Sequence, residues 1–368
     1  MEIPFLNFDS MHRPIKSEIM DAFESFYDSN WYVLGEKVKI FEEEFCNFNT
    51  VSNTIGVSNG LDALFMALKI LDIGQGDEVI IPSNTYIATA IAVSLVGATP
   101  IFVEPLIETF NINPDLIEAA ITPKTKAIMP VHLYGQACQM DKIKSIAEKY
   151  KLYIVEDNAQ SQGASYNGVY TGAWGDINAT SFYPGKNLGA LGDAGAITTN
   201  NPSYATRAKV LRNYGSQKKY YNEVIGYNMR LDECQASILS VKLKYINDWN
   251  TQRQIIAKKY LDALKDINDL ILPKVADNAT HVYHLFVVRT NKRNELQDYL
   301  LKYGISTMIH YPIPIHLQEA YSHLEIKKGS FPISETLAET NLSLPLWPGI
   351  TDDQISYISD KIRLFFNK

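Results

Sequence analysis

The chain has 368 residues, 46% of them hydrophobic, and a formal net charge of −7 at pH 7. It is long enough for about two domains, and the absence of any basic run argues against nucleic acid as a partner. Three isolated cysteines without a paired motif are typical of reduced thiols in a cytoplasmic protein. The first residues do not resemble a signal peptide and no apolar run approaches about 20 residues, so we expect no membrane span.

The N-terminal part predicts helices over 14–26 and 38–45, joined by a loop that contains Trp31. From about residue 52, short β-rich runs alternate with helical runs. This alternation predicts an α/β fold with a mostly parallel sheet covered on both faces, whose ligands bind at the carboxyl ends of the strands. The predicted strands are 54–57, 78–81, 99–103, 127–131 and 153–156, and the predicted helices between them are 61–71, 85–95, 114–120 and 141–150.

After about residue 230 the pattern indicates a smaller α+β domain. One long helix is predicted over 231–249, with a continuation to 264, and a strand over 284–290. Helices are predicted over 295–303 and 351–366, the last with Thr351 and Gln354 in capping-box spacing. We therefore predict a large domain over 1–245, including the N-terminal helices, and a small domain over 246–368.

The residues that follow the predicted strands are candidates for a ligand site. Asn59 and Gly60 lie at a strand–turn–helix junction, which suits either a bound phosphate or an ordinary helix cap. Tyr86, near the start of a helix, presents a flat ring that can stack on a planar cofactor or lie on the surface as most tyrosines do. His132 has no second ligand nearby, so a metal site is not predicted, and a structural role is as plausible as a catalytic one.

Two further segments carry chemistry. Asp157 ends an apolar strand, where it can pair with a cationic ring nitrogen or cap a helix, and Gln160 can donate to a ring oxygen. Lys186 is the single lysine of the stretch from Ser181 to Gly195, and four glycines fall in the eleven residues from Gly185. Desolvation lowers the pKa of a lysine, and the neutral amine can then form a Schiff base with a carbonyl; the alternative is a turn with an exposed lysine.

A phosphate cradle, a stacking ring, a carboxylate for a pyridinium nitrogen and a Schiff-base lysine together suit pyridoxal 5'-phosphate (PLP). A dinucleotide site is disfavoured, because the spacing of Gly189, Gly192 and Gly195 is not GxGxxG and no helix cap follows it.

The sequence resembles the DegT/DnrJ/EryC1/StrS sugar-nucleotide aminotransferases over nearly its whole length. This resemblance implies the PLP-dependent aspartate-aminotransferase fold (fold type I), with a large domain and a smaller C-terminal α+β domain. The matching motifs are Trp31-Tyr32-Val33-Leu34-Gly35, Ser58-Asn59-Gly60-Leu61-Asp62-Ala63-Leu64, Val131-His132-Leu133-Tyr134-Gly135, Glu156-Asp157-Asn158-Ala159-Gln160, the stretch around Lys186, and Gly226-Tyr227-Asn228-Met229-Arg230-Leu231.

The resemblance implies a role for each site residue. Lys186 would anchor the cofactor and move the proton, Asp157 would keep the ring nitrogen protonated, Gln160 would contact the ring hydroxyl and Tyr86 would stack on the ring. The same comparison implies a homodimer whose active site is shared, because one phosphate ligand would come from the neighbouring subunit. The implied phosphate ligands are Asn59, Gly60, Ser181 and, from that subunit, Asn228.

The residues over 182–193 resemble the branch that acts on C3 of 3-keto-6-deoxyhexose nucleotides. The implied substrate is a dTDP-3-keto-6-deoxyhexose and the implied donor is L-glutamate; the gluco and galacto epimers are not separated. The alternatives are a C4 aminotransferase of the same family, a non-catalytic PLP-bound regulator, and a dinucleotide oxidoreductase that the missing motif disfavours. Sugar-nucleotide contacts, or alternatively ordinary surface-loop positions, are predicted at Trp31, Tyr183, Tyr221, His310, Tyr311 and His316.

Overall fold

Strands and helices alternate along most of the chain. The structure is a computed structural model that describes residues 1–367. The strands are β1 (Asn53–Val57), β2 (Glu78–Pro82), β3 (Thr99–Val103), β4 (Thr125–Ile128), β5 (Tyr153–Asp157), β6 (Ser165–Tyr166), β7 (Val169–Tyr170), β8 (Ile177–Ser181), β9 (Gly195–Thr199), β10 (Ser216–Lys218), β11 (Tyr221–Asn222), β12 (Phe286–Arg289) and β13 (Asn341–Leu344). The α-helices are α1 (Asp9–His12), α2 (Lys16–Asp28), α3 (Glu36–Asn49), α4 (Gly60–Ile70), α5 (Ile87–Leu95), α6 (Met140–Tyr150), α7 (Pro202–Leu211), α8 (Glu233–Leu243), α9 (Ile246–Leu264), α10 (Arg293–Lys302), α11 (Pro332–Thr340) and α12 (Asp352–Phe366).

A seven-stranded mixed sheet forms the centre of the larger part, in the order β1-β9-β8-β5-β4-β2-β3. The pairs from β8 through β5, β4 and β2 to β3 are all parallel, whereas β9 runs antiparallel to both β1 and β8. The prediction of an α/β fold with a mostly parallel sheet is confirmed. Apolar residues of α4 and α5 pack with the buried faces of these strands in one continuous core.

Strands β8 and β9 are the two central strands that the sequence did not predict. β8 reads Ile-Asn-Ala-Thr-Ser and resembles a polar loop, yet it is buried over most of its length. Asn178 is accommodated because its Nδ2 donates to the carbonyl oxygen of Gly172 at 2.8 Å. Asn178 Nδ2 also donates to the oxygen of Thr198 at 3.3 Å, and Thr180 Oγ1 donates to the oxygen of Asn158 at 3.3 Å. Both of these partners are distant in sequence, so local patterns do not reveal them.

The long helix predicted over 231–264 is two helices, α8 and α9, separated at Lys244 and Tyr245. The backbone N–H of Tyr245 donates to the oxygen of Lys242, three residues earlier, so the helix tightens and ends there. The break lets α8 pack on α2 and α3 while α9 enters a second core. The segment predicted as a helix over 114–120 forms two short 3-10 helices, and the capping box at Thr351 is present.

The second core surrounds the β12–β13 pair and includes residues of α9, α10 and α12. Ile3 also belongs to it, since the N–H of Ile3 donates to the oxygen of Gly304 at 2.8 Å. The boundary predicted at 245/246 falls between α8 and α9, and the division into 1–245 and 246–368 remains a prediction. Lys368, the last residue of the predicted small domain, lies outside the described residues.

Candidate active site

A cavity of about 1060 Å³ lies between the two cores, at the carboxyl ends of the sheet strands. Segments that follow β1, β2, β5 and β8 form one wall, and residues of the second core form the other. Several residues predicted from the sequence line this cavity together: Asn59, Gly60, Tyr86, Asp157, Gln160, Ser181, Tyr183, Lys186, His310 and Tyr311.

The N-terminus of α4 forms one end of the cavity. Asn59 caps the helix, with its Oδ1 accepting from the N–H of Asp62 at 2.9 Å. As the first N–H groups of a helix, those of Gly60 and Leu61 have no intrahelical acceptor and are oriented for an anion. A Cβ on Gly60 would lie 2.6 Å from the Cβ of Ser181, so glycine is required for the close approach of α4 to β8. Backbone donors and the Ser181 hydroxyl therefore suit a phosphate group.

Asp157 ends β5 and is buried at the floor of the cavity. Its Oδ2 accepts from the Oγ1 of Thr89 at 2.9 Å, and its Oδ1 accepts from the N–H of Ala159 at 3.2 Å. Burial raises the pKa of the Asp157 carboxyl, and the Thr89 hydrogen bond opposes this only in part. A fixed, desolvated carboxylate of this kind is suited to pairing with a cationic ring nitrogen. Thr89, on α5, was not singled out from the sequence.

Gln160 is held in one orientation beside Asp157. Its Oε1 accepts from the N–H of Tyr134 at 2.6 Å, and its Nε2 donates to the Oη of Tyr311 at 3.1 Å. The second N–H of this amide remains available to another acceptor in the cavity. Tyr86 lies at the start of α5 with its ring centroid 5.4 Å from that of Tyr311. Since 53% of Tyr86 is exposed, its ring is free to cover a flat group in the cavity.

Lys186 lies in the connection between β8 and β9. Its N–H donates to the oxygen of Tyr183 at 2.8 Å, which closes a tight turn. Two side-chain hydrogen bonds hold this turn in place. Asn187 Nδ2 donates to Asn250 Oδ1 at 2.8 Å, and Lys242 Nζ donates to the oxygen of Gly189 at 2.6 Å. Burial lowers the pKa of Lys186 to about 8, and the negative charge of Asp157 opposes this shift. An ordinary lysine is almost entirely protonated at pH 7, whereas one with a pKa of about 8 is roughly one tenth neutral.

Four predicted residues lie outside this cavity. The ring of His316 is buried against Phe331 and its Nε2 lies 3.0 Å from Glu335 Oε1, so the substrate contact expected of this residue stays a prediction. The short 3-10 helix at Ile315–Leu317 turns this histidine toward the protein core. The other three residues are exposed on the surface of the chain: Trp31, Tyr221 and Asn228.

His132 belongs to a buried hydrogen-bond network that supports the fold. Its Nδ1 accepts from the N–H of Cys138 at 3.0 Å, so the ring proton lies on Nε2 and is directed at Glu156, 2.7 Å away. Both side chains are fully buried. Glu156 also accepts from the N–H groups of Gly172, Trp174 and Gly175, and this network fixes the loop before β8.

Across residues 1–367 no group of three or more histidine, cysteine or acidic side chains is arranged to hold a metal ion. Within the same range, every helix is too short or too polar to span a bilayer.

Comparison with known proteins agrees with this geometry. A family model described as the DegT/DnrJ/EryC1/StrS aminotransferase family matches residues 13–363. The chain belongs to this aminotransferase family. Members of the DegT/DnrJ/EryC1/StrS family depend on PLP, and the helix N-terminus, buried carboxylate and desolvated lysine of this cavity fit that cofactor. The protein is therefore a PLP-dependent aminotransferase.

Three relatives illustrate the similarity. The dTDP-3-amino-3,6-dideoxy-alpha-D-galactopyranose transaminase of Aneurinibacillus thermoaerophilus is 51% identical over 364 residues, 99% of each chain. The dTDP-3-amino-3,4,6-trideoxy-alpha-D-glucose transaminase of Streptomyces venezuelae is 44% identical over 361 residues, 98% of this chain and 95% of the relative. The crystal structure of S. venezuelae DesV in complex with a ketimine intermediate matches with a TM-score of 0.98 and 43% identity, covering 100% of this chain and 99% of that chain.

Proposed function

We propose that this protein transfers the amino group of L-glutamate to C3 of a dTDP-3-keto-6-deoxyhexose, giving a dTDP-3-amino-3,6-dideoxyhexose and 2-oxoglutarate. The observation that carries the proposal is the joint placement of Lys186, Asp157, Gln160 and the α4 N-terminus in one cavity. The choice of C3 is supported by the 51% identical relative, which is described as a 3-amino-3,6-dideoxy sugar transaminase.

The residues of this chain would hold PLP at three points. The N–H groups at the start of α4 and the hydroxyl of Ser181 would bind the phosphate, Asp157 would pair with the ring nitrogen, and Tyr86 would cover one face of the ring. When bound, PLP supplies an electron sink that stabilises the charge left on an amino-bearing carbon when it loses its proton. The hydrogen bond from Thr89 fixes the Asp157 carboxylate, so this charge need not reorganise during the reaction.

Lys186 would provide both covalent attachment and proton transfer. Its ε-amino group lies in the cavity wall, and desolvation supplies the neutral amine that attachment to an aldehyde requires. When an incoming amino acid displaces it, the free amine would take the proton from the donor's Cα and return one to the product. A pKa of about 8 suits a group that must both accept and release a proton near neutral pH.

The sugar nucleotide would enter past Tyr183, His310 and Tyr311. His310 Nδ1 lies 2.8 Å from Ser343 Oγ, so its ring is positioned by the second core. Burial lowers the pKa of His310 to about 4, which keeps it neutral and able to exchange hydrogen bonds with hydroxyl groups of a sugar. Neither of these features distinguishes the gluco from the galacto epimer.

We also propose that the protein is a cytoplasmic homodimer with a shared active site. Trp31, Tyr221 and Asn228 would then complete the partner's cavity. Their exposure in one chain supports this role, as does the position of Ile225, 91% exposed on the same segment as Asn228. Tyr220, Tyr221 and Val224 on this segment are also at least half exposed, and exposed apolar side chains that cluster in this way mark interaction surfaces.

The proposal is tested by incubating the PLP-loaded protein with L-glutamate and each of the 3-keto epimers, or with a 4-keto-6-deoxy sugar nucleotide. NMR of the product identifies the carbon that carries nitrogen. Nitrogen at C3 is expected; nitrogen at C4 would favour the other branch of the family. Cofactor binding without turnover on any keto sugar would favour a non-catalytic regulator.

A further inference from the structure

The second core contributes an arginine to the cavity that none of the proposed steps uses. Arg253, on α9, lines the cavity beside His284 although only 1% of its surface is exposed. Buried guanidinium groups are normally paired with carboxylates, because a buried charge without a partner is costly. The hydrogen-bond partners of Arg253 therefore show whether its buried charge is paired.

Arg253 has no acidic partner among residues 1–367. Its Nη1 donates to the backbone oxygens of Tyr283 at 3.2 Å, His284 at 3.5 Å and Leu346 at 3.5 Å. Its Nε is sealed from solvent and makes no hydrogen bond within the described part of the chain. Burial alone lowers the pKa of Arg253 to about 10, with no compensating negative charge nearby. The group remains a cation at neutral pH and retains unused donors.

The position of Arg253 relative to Lys186 indicates which anion Arg253 would bind. His284 Nδ1 lies 3.3 Å from Asn187 Oδ1, directly after Lys186 in the chain. Arg253 Nη1 donates to the backbone oxygen of the same histidine at 3.5 Å, and Lys186, His284 and Arg253 all line the cavity. The positive charges of Lys186 and Arg253 also lower the pKa of His284, after the larger effect of burial. An anion bound by Arg253 would therefore lie close to the reacting amine.

We propose that Arg253 binds the α-carboxylate of the amino-acid donor. This proposal rests on the proposed function, in which L-glutamate is the donor. The donor's α-carboxylate is attached to the very carbon that reacts beside Lys186. The diphosphate of a sugar nucleotide is attached at C1, two carbons from a reacting C3, so it lies farther from the reacting carbon. The cofactor phosphate would bind at the opposite end of the cavity, at Gly60 and Ser181.

The alternative is that Arg253 only ties backbone segments together, and the chain offers a matched control. Arg293 is also nine-tenths buried in the second core, and its Nη1 donates to the oxygens of Ala338 at 3.0 Å and Asn341 at 3.2 Å. It does not line the cavity. Substitution of Arg293 therefore reproduces the loss of backbone hydrogen bonds without removing a charge from the site.

The test compares R253Q, R253K and R293Q as PLP-loaded enzymes. The half-reaction with L-glutamate is followed by absorbance in single turnovers, and binding of glutarate, which lacks an amine, is measured by calorimetry. Loss of a charge-assisted hydrogen bond predicts that R253Q weakens apparent affinity for both ligands about 10- to 100-fold, with a smaller effect in R253K. The apparent affinity for the sugar nucleotide in the second half-reaction should stay within about threefold of wild type, because that substrate does not use Arg253.

The control defines what would overturn the inference. R293Q is expected to lower the unfolding temperature and leave glutamate and glutarate affinities unchanged. Unchanged donor affinity in a folded R253Q, or an equal loss in R293Q, would reject the carboxylate site. If R253Q does not fold, the comparison of R253K with R293K decides in the same way. A wild-type protein that binds glutarate through Arg253 but does not react with L-glutamate would instead reject the proposed function.

Discussion

Replacement of Asp157 by asparagine tests the electrostatic basis of the site. The substitution preserves the size of the side chain but removes its charge, and it leaves only one oxygen to accept from Thr89 or Ala159. In the PLP-loaded enzyme the ring nitrogen would lose a buried ionic partner, for which a cost of about 3 kcal/mol is typical. Since about 1.4 kcal/mol corresponds to tenfold in rate, we expect the half-reaction with saturating L-glutamate to slow roughly a hundredfold.

The same substitution has a predicted pH signature in the cofactor-free protein. The pKa of Asp157 is raised by burial, so the folded state holds its proton more tightly than the unfolded state. Wild-type stability should therefore fall as the pH rises from 3.8, the ordinary pKa of an aspartate, through the raised pKa, and should be constant above it. In D157N the decrease in stability that comes from deprotonation of Asp157 should be absent. Urea unfolding across that pH range measures the difference.

A matched control is D176N, which makes the same chemical change at the opposite end of the sheet. Asp176 Oδ2 accepts from the N–H of Ile154 at 2.9 Å, outside the cavity. Its half-reaction rate should equal that of wild type. A D157N enzyme that reacts within about threefold of the wild-type rate would show that the Asp157 charge contributes little to the chemistry.

Four further predictions follow from single residues. K186A should lose turnover and the visible absorbance of the lysine-bound cofactor while its far-UV circular dichroism is unchanged; normal turnover would remove Lys186 from the mechanism. Amine-labelling of Lys186 in the cofactor-free protein should rise with pH around a pKa of about 8, whereas a midpoint near 10.5 would contradict its desolvation. G60A, whose Cβ would lie 2.6 Å from that of Ser181, should cost about 1–3 kcal/mol in stability and weaken PLP binding in equilibrium dialysis, and unchanged affinity would argue against the cradle. H316A should lower the unfolding temperature by several degrees, because it leaves Glu335 without its buried partner, yet keep the KM for the sugar nucleotide; a raised KM would restore a substrate role.

The sequence predicted the parallel part of the sheet because its strands are apolar runs between helices with clear periodicity. It missed β8, since Asn178 Nδ2 meets its acceptors on Gly172 and Thr198 only after the chain has folded. It also joined α8 to α9, because helical periodicity continues across Lys244 and Tyr245 and only tertiary packing reveals the break.

Site residues could be predicted from the sequence where a single segment carries the functional groups. They were harder to predict where a residue reaches the site from a distant part of the chain. Asp157 ends an apolar strand and Lys186 lies in a glycine-rich stretch, so these local patterns indicated both as candidate site residues. Arg253 reaches the cavity from the middle of α9, and Thr89 supports Asp157 from the first turn of α5. Nothing in the local pattern separates either residue from ordinary helical residues. His316 was predicted to contact the substrate because residues 310–316 resemble a loop that lies near the substrate in the family, yet the chain buries its ring in the core.

The most direct measurement of the central claim is a spectroscopic cycle on the PLP-loaded protein. L-Glutamate alone should abolish the visible absorbance of the lysine-bound cofactor with release of one equivalent of 2-oxoglutarate. After glutamate is removed, a dTDP-3-keto-6-deoxyhexose should restore the absorbance, with nitrogen appearing at C3 of the sugar. Absorbance that glutamate does not change, or that the keto sugar nucleotide fails to restore, would contradict the function proposed for this cavity.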